Sequence, residues 1–414
     1  MTRCVVVGSG AREHALAWGL AKSADVVVTP GNPGIAAHGL TCVDTPATQL
    51  EADLFVVGPE LPLTQGLADD LRAQGKVVVG PGRNGAQLEA SKAFMKRFLE
   101  SAGVPTARYG VFGEIDAACA HLATMSAPYV IKTDGLAAGK GVLVTDDLPT
   151  ACADVRDKLN GSAFGEAGTT IVIEEGLDGV ECSLLVLCDG ERAVPLVPAQ
   201  DFKRVGEGDT GANTGGMGAY APMRAMGDDD VARVMSDIVA PTLEEFRRRG
   251  IDYRGVLYAG VMMGARGPAL LEYNVRFGDP ETQVLVPLYG DGLYELLRRV
   301  ATGELHEVPV TSSESAVTVV LAAHGYPEAP RSGDVIQGLG ADGQLFVPVE
   351  GVTIFHAGTR RDDQGRFLTQ GGRVLAVTAT GATIARARER AYAAVDQIAF
   401  EGRVLRRDIA GSAT

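Results

Sequence analysis

A chain of 414 residues is too long for one ordinary hydrophobic core, so two to four domains or subdomains are expected. With 46% hydrophobic and 22% charged residues it is neither disordered nor fibrous, and a formal net charge of −14 repels nucleic acid and anionic membranes. Lys and Arg side chains that bind anionic substrates must therefore be gathered locally against that field.

From residue 1 to about 103, short apolar or β-branched runs alternate with helical stretches. Cys4–Val7, Val26–Thr29, Leu54–Val57 and Lys76–Val79 read as strands buried on both faces; Arg12–Lys22 and Pro62–Gln74 read as helices. Such alternation predicts an N-terminal doubly wound parallel sheet over 1–103. The chain enters its first strand directly, without a signal-peptide layout, and no apolar run approaches the roughly 18 residues a membrane helix needs. A cytoplasmic protein is expected. The six Cys show no metal spacing and read as small buried hydrophobes in a reducing compartment.

The first strand ends in Gly8-Ser9-Gly10-Ala11-Arg12-Glu13 and leads into a helix. Two glycines at such a junction let backbone N–H groups and a helix N-terminus face a phosphate. Glu13 stands where a dinucleotide fingerprint needs its third glycine, which weakens a nicotinamide reading. A plain tight turn and a site for a small phosphorylated ligand remain, and the latter is preferred. The helix expected over Ala86–Ala102 repeats Leu88, Met95, Leu99 and Ala102 on one face. Lys92 falls on that stripe, where it either snorkels to solvent or reaches a nucleotide phosphate.

Residues 104–310 read as an α+β unit with a lid subdomain at about 120–190. Strands are expected at Tyr129–Lys132, Val142–Thr145, Thr170–Glu174 and Glu181–Leu187. Lys132 to Gly141 superficially resembles a P-loop, but Asp134 replaces its first glycine, Gly141 replaces its hydroxyl, and the loop joins two strands rather than strand to helix. A hairpin lid folding over a triphosphate fits better, with Lys140 moving and Lys132 fixed. Glu174 and Glu175 end the next strand, where carboxylates can accept from an adenine amino group or ribose hydroxyls; a solvated turn is the plain alternative. The glycine-rich Gly206–Gly218 is either a loop that brings backbone N–H groups to a ligand or a disordered segment. A helix at about Asp229–Arg249 precedes strands Leu257–Met263 and Ala269–Phe277.

That last strand carries the strongest local signal. Side chains alternate faces, so Leu271, Tyr273, Val275 and Phe277 point to a core while Glu272, Asn274 and Arg276 share the other side. A carboxylate and an amide oxygen two residues apart can share one Mg²⁺, and Arg276 beside them can fork onto a carboxylate or phosphate. The remainder, 311–414, is expected to be a small β-rich domain, with strands at Ala316–Ala322, Asp334–Ile336, Val352–His356 and Arg373–Thr378 and a helix at Ile384–Ile398.

Taken in order, GSGAREHALAW, PGNPG, VVGPELPL, QLEASKAFMKRFL, VIKTDGLAAGKGV, IVIEEGLDG, QDFKRVGEGDTGANTGGMGAY and EYNVRFGDPETQ closely resemble the ATP-grasp superfamily and, within it, the phosphoribosylamine–glycine ligase family over nearly the whole chain. Ala11, Phe202, Ala212 and Val275 depart from that family's usual Gly, His, Pro and Cys. The resemblance implies a central ATP-grasp fold and ATP-dependent ligation of glycine to 5-phosphoribosylamine through a glycyl phosphate. It implies Mg²⁺ or Mn²⁺ on Glu272 and Asn274, and ATP held by Lys92, Lys132, Gly139, Lys140, Gly141, Glu174, Glu175, Leu177 and Glu181, with Lys140 and Arg276 catalytic. Phosphoribosylamine would meet Gly8, Gly10, Asn32 and Glu60. The substrates would further touch Asp201, Asn213, Gly215, Gly216, Met217, Gly278 and Asp279. A monomer acting on small molecules, without nucleic-acid or membrane partners, is expected.

Overall fold

The computed structural model describes residues 2–136, 141–161, 169–306 and 312–413. The N-terminal sheet is parallel throughout, with strands Thr41–Cys42, Asp25–Pro30, Arg3–Gly8, Leu54–Val57 and Val78–Val79 in that spatial order. Its central strands are buried on both faces: Val5 and Val7 enter one apolar cluster while Cys4 and Val6 enter another. That is the parallel sheet the apolar runs predict.

Two expected helices are each divided. Gly66, at φ 94°, separates Glu60–Gln65 from Leu67–Ala73. Ser91, at φ −139° and ψ 117°, separates Arg83–Ala90 from Lys92–Ala102, and its Oγ accepts from the Phe94 N–H as an N-cap. Lys92 is thus the first residue of a helix rather than a mid-helix stripe position. The helix expected at Asp229–Arg249 is present as Asp228–Val234, a π-helical stretch Met235–Val239 and Ala240–Arg248. Pro241 explains the widened turn, because it has no N–H for the ladder.

The middle of the chain builds two antiparallel four-stranded sheets. One orders Tyr109–Phe112, Ile171–Glu175, Tyr129–Thr133 and Val142–Thr145, with helices Ile115–Leu122 and Leu148–Leu159 closing a small core of their own. The other orders Ala193–Pro195, Val180–Asp189, Arg254–Gly264 and Gly267–Asn274. A lid drawn over about 120–190 therefore cuts across two sheets.

The glycine-rich segment is an ordered hairpin, Arg204–Gly206 with Thr210–Asn213. On either side, Gln200–Asp201 and Gly218–Ala221 join Ser315–Ala322, Arg373–Gly381 and Val352–His356 in a five-stranded sheet covered by helix Ile384–Val395. The central and C-terminal parts thus share one sheet. Asp334–Ile336 is not a strand; it makes only an isolated bridge, Val335 to Leu368.

Candidate functional site

The strand Gly267–Asn274 is irregular where its chemistry begins. Glu272 pairs with Gly260 while Leu270 pairs with Val261, so Leu271 is an extra residue in a bulge. The bulge corrects one expected inward side chain: Leu270, not Leu271, is fully buried, whereas Tyr273, Val275 and Phe277 go to the core as predicted. The strand also ends at Asn274, placing Arg276 on the segment that follows.

Glu272 faces Lys203, whose Nζ stands 3.3 Å from its Oε1 and also bonds Glu181 on the strand Val180–Asp189 of the same sheet. Lys203 first, then Lys132 and Lys92, hold the Glu272 carboxyl down to about 2 against the opposing effect of burial. Asn274 Oδ1 accepts from the Arg276 guanidinium at 3.2 Å. Arg276 itself is occupied: Glu89 lies at 2.9 Å, Glu60 at 3.4 Å, and Phe277 O accepts from it at 3.2 Å. Glu89 also accepts from the Val275 N–H at 2.8 Å, which fixes the helix Arg83–Ala90 to the strand end. Arg276 was expected to fork onto a carboxylate or phosphate beside the metal; in the structure its guanidinium meets two carboxylates of the N-terminal region.

Two ionised or amide oxygens at Glu272 and Asn274 suit a hard divalent cation that takes its other ligands from phosphate and water. Among the described residues no group of three or more His, Cys, Asp or Glu could hold a metal. The donor chemistry at Glu272 and Asn274 is therefore compatible with Mg²⁺ or Mn²⁺ bound jointly by protein and nucleotide.

On the side toward the four-stranded sheet of Tyr129–Thr133, Lys132 Nζ lies 3.0 Å from Glu174 and donates to Leu271 O at 3.1 Å. Glu174 is 1% exposed, and its other oxygen lies 3.2 Å from Lys96. Both lysines lie within ion-pair distance, yet Glu174 Oε1 is buried without a hydrogen-bond partner, so the pairing leaves the carboxylate with an unused acceptor. Glu175 pairs with Arg108 at 2.7 Å, and Leu177 follows half-buried. Lys92 donates to Gly135 O at 3.0 Å, while Asp134 accepts from Ser91 Oγ and the Ala93 N–H, both at 3.1 Å. The start of the expected lid loop is thereby tied to the helix Lys92–Ala102. Gly141 is buried; Gly139 and Lys140 lie outside the described residues.

Asp201 and Lys203 are two residues apart, and each feels the other's charge. Asp201 Oδ1 is buried without a hydrogen-bond partner, and burial together with nearby Glu281 pushes its carboxyl well above the usual range. Gly216, at φ 105°, passes close beside it: a Cβ there would lie 2.7 Å from Asp201 Oδ1 and would strike Pro280. Arg373, from the C-terminal part, donates to Gly215 O and to Asp279 O at 2.8 Å, and lies 3.0 Å from the Asp279 carboxylate. Gly278 admits Glu281, whose carboxylate accepts from Tyr258 at 2.6 Å and Ser183 at 3.0 Å. Asn213 pairs with Arg204 in the hairpin. Met217 is fully buried and its N–H bonds Phe202 O, so neither its side chain nor its N–H is open to a ligand.

The N-terminal turn departs most from expectation. Glu13 places Oε2 2.6 Å from the Gly10 N–H and also bonds Arg12, so a carboxylate of the chain already lies in the glycine cradle. A Cβ at Gly8 would lie 2.5 Å from Glu13 Cγ, so this glycine makes room for Glu13 itself. Asn32 is also spent: its amide donates to Ser9 O and His356 O, and its oxygen accepts from the Gly34 and Ile35 N–H groups. Glu60 faces Arg276.

Sequence reading did not single out Lys96, Glu89, Glu281 or Arg373. Lys203 was within reach, because it follows Asp201 at strand spacing.

Three family models match in order: Phosphoribosylglycinamide synthetase, N domain, over residues 2–89; its ATP-grasp (A) domain, over 90–282; and its C domain, over 316–412. A phosphoribosylamine–glycine ligase of Caulobacter vibrioides is 47% identical over 422 residues, covering 98% of this chain and 97% of that relative. One from Brucella melitensis is 46% identical over 420 residues, with the same coverage. A crystal structure of the Thermotoga maritima phosphoribosylamine–glycine ligase superposes with a TM-score of 0.87 at 35% identity, over 98% of this chain and 100% of that one. A biotin carboxylase domain from Hydrogenobacter thermophilus shares the fold, with a TM-score of 0.72 at 16% identity over 98% of this chain and 92% of that one.

Proposed function

This chain belongs to the phosphoribosylglycinamide synthetase family, and we propose from that membership how its own residues divide the work of the family's reaction. The reaction joins glycine to 5-phosphoribosylamine with consumption of ATP, giving glycinamide ribonucleotide, ADP and phosphate by way of glycyl phosphate, in de novo purine synthesis. ATP is the co-substrate and Mg²⁺ or Mn²⁺ the cation.

Glu272 and Asn274 would hold the cation, which neutralises phosphate charge as the terminal phosphoryl group moves. Lys92 and Lys132 are assigned to the nucleotide phosphates, with Lys140 joining them from the lid. Glu175, Leu177 and Glu181 border the nucleotide, while Glu174 serves it indirectly by holding Lys132. Arg276 orients Asn274 and meets the glycine carboxylate on the edge that Glu60 faces at 3.4 Å, a separation long enough to be exchanged. Asp201, buried with an unpartnered oxygen, receives the glycine ammonium group. Glycyl phosphate hydrolyses in water, so closure over it serves to exclude solvent until the sugar amine attacks. The Gly8–Gly10 turn, with Arg12 and Glu60, borders the sugar side; its contribution is shape and charge rather than a free Gly10 N–H.

The observation that carries this reading is Glu272, held ionised among Lys203, Lys132 and Lys92 on the strand that also presents Asn274. ADP release measured with Mg²⁺, phosphoribosylamine formed in situ, and glycine, bicarbonate or formate in turn tests it. Turnover is expected with glycine alone.

No helix among the described residues is long and apolar enough to cross a membrane. The charge of −14 supports work on small molecules rather than on nucleic acid. The monomeric state is testable by light scattering.

A further inference from the structure

Among the described residues, the lysine whose side chain is most completely buried has no place in the reaction. Lys96 is fully buried on the helix Lys92–Ala102. Its Nζ lies 3.2 Å from Glu174 Oε2 and 2.7 Å from Thr106 Oγ1. Thr106 passes the link on, donating to Leu270 O at 2.7 Å, and the Leu270 N–H returns to Pro105 O at 2.8 Å. The other oxygen of Glu174 lies 3.0 Å from Lys132, which donates to Leu271 O. The links therefore run from Leu270 O through Thr106, Lys96, Glu174 and Lys132 to Leu271 O. They begin and end on adjacent carbonyls of the strand that carries Glu272.

We infer that Lys96 is a positioning residue for nucleotide binding: by holding one oxygen of Glu174 and the Thr106 hydroxyl, it fixes Lys132 and the sheet of Tyr129–Thr133 against the strand of Glu272. The inference rests on the assignment of Lys132 to the nucleotide. The physical reason is the sharing of one carboxylate. Glu174 and Lys132 lie on neighbouring strands, with Val130 opposite Glu174, so Glu174 is the group that sets where the Lys132 ammonium lies. A buried carboxylate with a single cation turns both oxygens toward it. With Lys96 present, Glu174 keeps one oxygen turned away from Lys132 and leaves that ammonium with donors to spare. Without Lys96, Glu174 closes on Lys132 and withdraws it from phosphate, and Thr106 loses the donor that orients its hydroxyl toward Leu270 O. Burial draws the Lys96 amine down to about 8 while Glu174 opposes the fall, as befits a lysine kept inside by its partner.

Steady-state kinetics, normalised to active-site concentration, test this with Lys96→Met, Thr106→Val and the double variant. Lys96→Met is expected to raise the KM for ATP roughly 10-fold, with the KM for glycine within about twofold and kcat within about threefold of the parent. Thr106→Val should move the ATP KM in the same direction by less, and the double variant should be no worse than Lys96→Met, because both act through one set of links. An unchanged ATP KM in Lys96→Met, or an equal rise for ATP and glycine, overturns the inference. Should Lys96→Met fail to fold, Thr106→Val decides by the same criterion. Lys132→Met separates the two levels: an unchanged ATP KM there removes the nucleotide assignment and the inference with it. A raised ATP KM there, with none in Lys96→Met or Thr106→Val, removes the inference alone.

Discussion

Lys203 Nζ stands 3.3 Å from Glu272 Oε1, so the carboxylate assigned to the metal is already balanced by an ammonium of the protein. The same ammonium bonds Glu181, and the three groups bring together the strands of Glu181 and Glu272 and the glycine-rich segment. A cation entering at Glu272 competes with Lys203 unless nucleotide phosphates arrive to receive the lysine. Lys203→Met should therefore bind Mn²⁺ more tightly without nucleotide, read by electron paramagnetic resonance, while kcat/KM falls by about 10²-fold. Unchanged Mn²⁺ affinity in the free protein would contradict this competition.

Asp201→Asn removes the carboxyl group proposed to receive the glycine ammonium, a group that burial and Glu281 keep protonated more readily than an ordinary carboxyl until a cation arrives beside it. The KM for glycine should rise about 10²-fold, with the KM for ATP within about twofold, in initial rates at saturating co-substrates. Parallel rises in both constants would place Asp201 elsewhere in the chemistry.

Gly216 is a conformational requirement. Its φ of 105° is a backbone region that L side chains rarely adopt, and a Cβ would press on Asp201 Oδ1 and Pro280. Gly216→Ala should cost about 1–3 kcal/mol in chemical denaturation and weaken glycine more than ATP. Full stability with parental glycine KM would show that the turn relaxes freely.

The N-terminal and C-terminal parts meet at a histidine cluster that stays neutral. His14 accepts from the His356 N–H at 2.9 Å and lies 3.0 Å from His38, while His356 also contacts Thr359 and Gly343 O; Asp342 acts on His38. Burial lowers His356 to about 4, so between that value and the ordinary 6.5 the unfolded chain binds a proton that the folded chain does not. Stability contributed by neutral His356 is complete above about pH 6.5 and is lost as pH falls toward 4, amounting to about 2 kcal/mol by pH 5. His356→Gln, less stable at neutral pH, should show a shallower loss between pH 7 and 5 in thermal unfolding. An equally steep loss would place the acid sensitivity in other groups.

Much of the scaffold was legible because period and apolarity report burial directly: the parallel strands from Arg3 to Val79 and the shared polar side of Glu272 and Asn274 follow from them. What stayed hidden depends on partners distant in sequence. Lys96 gives no signal in the sequence, since nothing local announces that Glu174 and Thr106 will meet it. The Leu271 bulge is decided by the pairing strand, and the glycine cradle is filled by Glu13, whose direction depends on Arg12 and Phe277. The Ser91 break could have been read from the helix-capping preference of Ser; the stripe across it, Leu88 to Met95, masked the signal.

The most direct test of the central claim is ADP release by Glu272→Gln with Mg²⁺, ATP, glycine and phosphoribosylamine, alongside its thermal midpoint. If Glu272 holds the cation, turnover falls by at least about 10²-fold in a protein that still unfolds cooperatively near the parental temperature. A near-parental rate from that variant would contradict the account.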